Sequence, residues 1–115
     1  MENRQAEELN LSVQNWTQKA KDAMENGHPT LYRKLRKLGE LKHHLNELGT
    51  SAAKLEMTRL EQLEKTETPE KVYGTKNPSA QERATQSMMN EATAREMADE
   101  FLETMLAELE NRYLG

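Results

Sequence analysis

The chain contains no cysteine, which excludes disulfides, thiolate nucleophiles and cysteine-based zinc or iron–sulfur sites together. Aromatic residues make up 4%, with one tryptophan, one phenylalanine and three tyrosines, so any core must be built from aliphatic side chains. No apolar stretch approaches the roughly 18–20 residues that cross a bilayer. The opening MENRQAEELN has no hydrophobic centre of the secretory kind. The expectation is a soluble, cytoplasmic protein. No convincing strand is present, and hence no strand-linked glycine-rich phosphate loop; no serine sits in a nucleophile elbow. These absences argue against the usual nucleotide enzymes and hydrolases, and a non-enzymatic protein without a cofactor is expected.

What the chain does have is periodicity. Apolar residues are only 35% and mean hydropathy is −1.01, against roughly 45–50% apolar in an average domain. The apolar residues nevertheless recur at helical spacing. A thin apolar stripe on long helices needs only one face buried, as in bundles and coiled coils, and often needs a second chain to complete its core. At 115 residues, a single helical domain over 1–115 is expected.

Three long helices are predicted, at about 2–25, 30–65 and 79–113, in an antiparallel or extended coiled-coil-like bundle completed by oligomerisation. In the first, Ala6, Leu9, Val13, Trp16, Ala20 and Ala23 follow a three-four alternation that places them on one face. Asn26-Gly27 should end it, with Gly27 in the left-handed conformation, and Pro29 suits the first position of the next helix.

The run 30–65 organises the rest. Leu31 and Leu35 open an apolar face that Leu38, Leu41, Leu45, Leu48, Ala52 and Leu55 continue, again alternating three and four. After Leu55 the stripe moves to Met57, Leu60 and Leu63. Gly39, flanked by strong helix formers, is expected to stay helical. Gly49-Thr50-Ser51 has two readings, a glycine cap followed by a new N-cap or continuous helix; the unbroken register favours continuity.

The connector 66–78, TETPEKVYGTKNP, holds two of the three prolines and cannot be one helix; Val72 and Tyr73 could pin it down. Ser79-Ala-Gln-Glu82 is a capping box. The last helix's face is read as Ala84, Met88, Ala92, Ala98, Leu102, Met105 and Leu109, widened by Phe101, Leu106 and Tyr113. The core or interface anchors expected from these patterns are Leu9, Val13, Trp16, Leu38, Leu41, Leu45, Leu48, Leu55, Phe101, Leu102, Met105 and Leu109.

Net charge is −4, unevenly spread. Residues 31–44 carry five basic residues and one acid, +4, whereas 79–115 carry eight acids and three basic residues, −5. The basic segment is the one candidate anion or partner site: Tyr32, Arg33, Arg36, Lys37, His43 and His44 offer fork-shaped and mobile donors beside a ring. A solvated face or one paired with the acidic last helix, a protein interface, and a phosphate or nucleic-acid site are all compatible with it. Glu40 and His43 form a Glu-x-x-His pair, the unit repeated in di-iron carboxylate bundles. It occurs once and the last helix has no histidine, so no metal site is expected.

The leading functional expectation is an oligomeric helical interaction protein, an adaptor, scaffold, chaperone or inhibitor acting through protein–protein contacts. The alternative is a binder of nucleic acid or a small phosphorylated ligand through the basic patch at 32–44. A homo-oligomer with a protein partner and no membrane follows from the first.

Overall fold

A computed structural model describes residues 2–115, with side chains from residue 6 onward. All regular structure among the described residues is helical: α1 (Glu2–Gly27), α2 (Pro29–Leu38), α3 (Leu41–Thr66), α4 (Pro69–Tyr73) and α5 (Ala80–Leu114). No helix among them is long and apolar enough to cross a membrane. Five helices replace the three expected, and the coiled-coil expectation fails as well.

The extra helices have local causes. The run 30–65 breaks at Gly39, not at Gly49. Gly39 adopts φ 76°, ψ 16°, the left-handed region that costs glycine nothing for want of a Cβ. Its N–H donates to the Arg36 carbonyl at 3.1 Å, and that of Glu40 donates to Leu35 at 2.9 Å. These two bonds are a Schellman cap, which satisfies carbonyls that a helix end would otherwise orphan. Strong helix formers on both sides were insufficient to keep Gly39 helical. Gly49 does continue its helix. Gly27 stays within α1 without a positive φ, so the expected left-handed stop is absent there.

The connector contains α4, started by Thr68, whose hydroxyl accepts the Lys71 N–H at 3.3 Å. Val72 and Tyr73 are exposed, so they do not pin the connector. The capping box forms as read: Ser79 N–H donates to the Glu82 carboxylate at 2.9 Å, and Glu82 N–H to the Ser79 hydroxyl at 3.1 Å.

Burial explains why the molecule is not a coiled coil. The buried positions of the first three helices are Trp16, Ala20 and Met24 on α1; Leu31 and Leu35 on α2; and two parallel rows on α3, His44-Leu48-Ala52 and Leu45-Gly49-Ala53. On α5, every fourth residue from Gln86 to Leu106 is buried. Rows of constant spacing four are the ridges that interlock in ordinary globular helix packing at angles near 50°, whereas a coiled-coil seam alternates three and four. Several of the anchors expected from the alternating pattern are less covered. Leu38 is 50% exposed, while Leu9, Val13, Leu41, Leu55, Phe101 and Met105 are half-buried. Trp16, Leu45, Leu48, Leu102 and Leu109 are core.

The chain divides into two compact units, one made of the chain up to Lys54 with Asp99–Gly115, the other of Leu55–Ala98. In the first, Lys19 pairs with Asp99 at 3.0 Å and His28 with Glu110, so α1 and α5 run in the same direction. α3 returns against them, with His44 beside Tyr113 at one level and Gly49 against Thr17 at another. A Cβ on Gly49 would lie 2.8 Å from the Thr17 nitrogen and 2.9 Å from its Cα, so α1 and α3 meet backbone to backbone.

In the second unit the buried row of α5 begins with polar residues. Gln86 donates to the Asn90 side-chain oxygen at 2.9 Å, and Asn90 donates to the Glu67 carbonyl at 3.2 Å. Asn90 thus satisfies a carbonyl just past the C-terminus of α3, where helix carbonyls lack partners. The Gln86 side-chain oxygen is buried without a partner. Ala84, Met88 and Ala92, expected on the core side, are exposed; Met88 is 69% accessible.

Candidate functional site

In the first unit, α3 and α5 leave an open groove of about 510 Å³ between residues 43–51 and 101–112. Its α5 wall is Phe101, Met105, Leu109 and Arg112, spaced four, four and three, which keeps one helical face turned to it. Leu48 completes an apolar floor, and His43, His44, Glu47, Thr50 and Ser51 supply polar groups from α3. The one phenylalanine of the chain is half-buried here, although a globular core would cover it.

The end of the groove is fixed by a hydrogen-bond relay. The Glu40 carbonyl, just beyond the Gly39 cap, accepts the His44 N–H at 3.2 Å and so anchors the first turn of α3. This cap sets where His43 and His44 fall. His44 is buried with its Nε2 2.9 Å from the Tyr113 hydroxyl, and that hydroxyl donates to the Glu40 carboxylate at 2.8 Å. Because the phenolic hydrogen is used on Glu40, His44 Nε2 carries the hydrogen donated to Tyr113, an assignment that follows from the network. The hydrogen bond to Glu40 raises the Tyr113 pKa above its ordinary value, with burial and the carboxylate charge acting in the same direction. The relay ties the start of α3 to the end of α5.

His43 points elsewhere, 3.3 Å from the Glu47 carboxylate, with its ring edge-on to His44 at 5.5 Å between centroids. Arg112 lies over the Tyr113 ring at 5.7 Å. Glu40 and His43, the sequence-level metal pair, are thus engaged with different partners. No group of three or more histidines and acids among the described residues could hold a metal ion.

The basic segment is divided between two helices. Tyr32, Arg33, Arg36 and Lys37 lie on α2, whereas His43 and His44 belong to the groove beyond the Gly39 cap. Arg36 stacks over the Tyr32 ring at 5.9 Å. The Tyr32 hydroxyl is bonded to Glu25, which raises its pKa, with burial and the Glu25 charge adding to the effect. Arg33, Arg36 and Lys37 are exposed. Among the described residues, the ion pairs that α5 makes use Lys19, His28, Glu56 and Glu70, not the cations of α2.

Sequence reasoning missed Arg112 and Glu47 as groove residues and Tyr113 as the link in the relay. Only the helical phase shared by Arg112 with Phe101, Met105 and Leu109 could have pointed to the first. Partners separated by 69 and 73 positions leave no local signal. Comparison of the chain with protein-family models, curated proteins and solved structures finds no match.

Proposed function

We propose that the protein is a non-enzymatic, self-associating helical interaction protein in which the α3–α5 groove of one copy receives an apolar helix face of a second. The observation that carries this reading is the groove itself, an apolar floor with a half-covered phenylalanine and a polar rim. A helix with apolar residues at positions i, i+4 and i+8 fits such a trough. Alternative occupants lack a counterpart within the chain, whereas a second copy has one. The exposed row Ala84, Met88 and Ala92 on α5 has that spacing. It spans about 12 Å, and the Phe101–Arg112 wall about 16 Å, at 1.5 Å per residue. Methionine is flexible and polarisable, and adapts to irregular apolar surfaces at interfaces. Small alanines on either side of Met88 let the two backbones approach.

The absence of cysteine makes the test clean. With Met88→Cys and Met105→Cys in one chain, the two thiols sit about 26 Å apart along one helix. A disulfide needs Cα atoms within about 7 Å, so any cross-link is between copies. Mild oxidation is expected to give a covalent dimer that neither single variant gives at the same rate. Equal, slow cross-linking of double and single variants would contradict the proposed seat.

A further inference from the structure

We propose that the outward face of α2 is a docking site for the phosphate backbone of nucleic acid, separate from the groove. In α2, Leu31 and Leu35 are fully buried. At 100° per residue, Arg33, Lys34, Arg36 and Lys37 are centred opposite them, and all four are exposed. α2 contains no acidic residue, and among the described residues none of these four cations has an ion-pair partner. Lys42, at the start of α3, adds a fifth exposed cation.

The two nearest acids in sequence are already engaged. Glu25 holds the Tyr32 hydroxyl, and Glu40 accepts from Tyr113. Both carboxylates keep their charge in these bonds; with Glu40 counted, the segment 31–44 carries +4 in a chain of net −4. Charges more than about 8–10 Å away are largely screened at physiological salt, so the local cluster sets the potential met by a ligand on this face.

The chemistry of the face selects among anionic partners. A membrane surface would call for an apolar wedge beside the cations, and the two leucines of α2 are closed off inside the protein. A protein interface would have an apolar or aromatic centre with charges at its rim. Here four cations are adjacent, and their apolar neighbours are the half-exposed Leu38 and the Tyr32 ring, which Arg36 covers. Such an arrangement suits a hydrated polyelectrolyte, bound by releasing the counterions condensed along it. Arg33 and Arg36 provide bidentate forks for phosphate oxygens, and the lysines provide mobile point charges.

The test is fluorescence anisotropy with a labelled short duplex DNA of mixed sequence, across a series of salt concentrations. Four phosphate contacts give a log–log salt slope of about −3.6. The double variant Arg36→Ala, Lys37→Ala is expected to reduce the slope by about two. Its thermal melt should match the parent because both side chains are exposed; Lys34→Gln, which should reduce the slope by about one, serves as a second variant. Three results would overturn the proposal: no binding at low salt, binding unchanged by the α2 substitutions, or binding to vesicles of anionic lipid without binding to DNA. The Met88 and Met105 cysteine variants should retain the full salt slope, which separates this surface from self-association.

Discussion

Two glycines of α1 and α3 predict opposite responses to the same substitution. At Gly49 an added methyl group would run into the Thr17 backbone at 2.8–2.9 Å, and neither helix can yield locally. Overpacking of this kind costs about 1–3 kcal/mol, against a helix-propensity gain of about 1 kcal/mol from alanine. Gly49→Ala is expected to lower the Tm by several degrees. Gly27 is helical with open space around its Cβ position, so Gly27→Ala should leave the Tm unchanged or raise it. Equal shifts in one direction for both would refute the α1–α3 contact. The sequence could not tell these two glycines apart, because a glycine needed for close approach is defined by a partner 32 positions away.

Tyr113 gives a prediction with a definite pH window. Its pKa is raised in the folded chain by the bond to Glu40, so the protonated phenol is the stabilised form. That contribution is fully present below the unfolded value of about 10 and is lost as pH rises through the higher folded value. Denaturation midpoints of the parent and Tyr113→Phe should therefore differ by a constant amount through neutral pH and converge in strong alkali. A gap that persists unchanged well above the phenol's titration would show that the hydrogen bond is not its source.

At the scale of helices, the lesson concerns spacing. Most of the helical territory was legible, as were the capping box and the continuity of α3 through Gly49. What failed was the choice of buried row. In α5, Ala84-Met88-Ala92 and Gln86-Asn90-Ala94 are both rows of spacing four, and hydropathy favours the first. The structure buries the second because Asn90 reaches the Glu67 carbonyl and Gln86 reaches Asn90. A polar row satisfied by a helix end cannot be recognised from one segment alone. Asn90→Ala should destabilise by about 1–3 kcal/mol, since it strands the buried Gln86 amide and takes the partner from the Glu67 carbonyl. Gln86→Met strands the Asn90 side-chain oxygen but also removes an oxygen that is already unpartnered, so it should cost less. Urea denaturation of the two variants checks the order; a reversed order would mean that the row is held by something other than these bonds. The helix break at Gly39 was hidden for a related reason. Its signal is a cap geometry, and leucine periodicity runs through it undisturbed.

At the scale of the molecule, the sparse apolar composition is reflected in what stays uncovered. Among the described residues the largest fully buried side chains are Met24, Leu31, Leu35 and Leu106, while Phe101 lines an open groove and Met88 and Met89 face outward. The expectation of an incomplete core rested on composition, and it leads to the same experiment by a different route. The groove was only partly readable: its apolar residues were among the expected anchors, but assigned to a closed seam. The basic patch was visible as charge, yet its division by the Gly39 cap was not.

The most direct test of self-association is the mass in solution, by light scattering or sedimentation across a range of concentrations. The account predicts a species of at least twice the 13.3 kDa chain that dissociates in both Met88→Asp and Phe101→Asp, with helical content retained. A mass of 13.3 kDa at every concentration of the parent would contradict it.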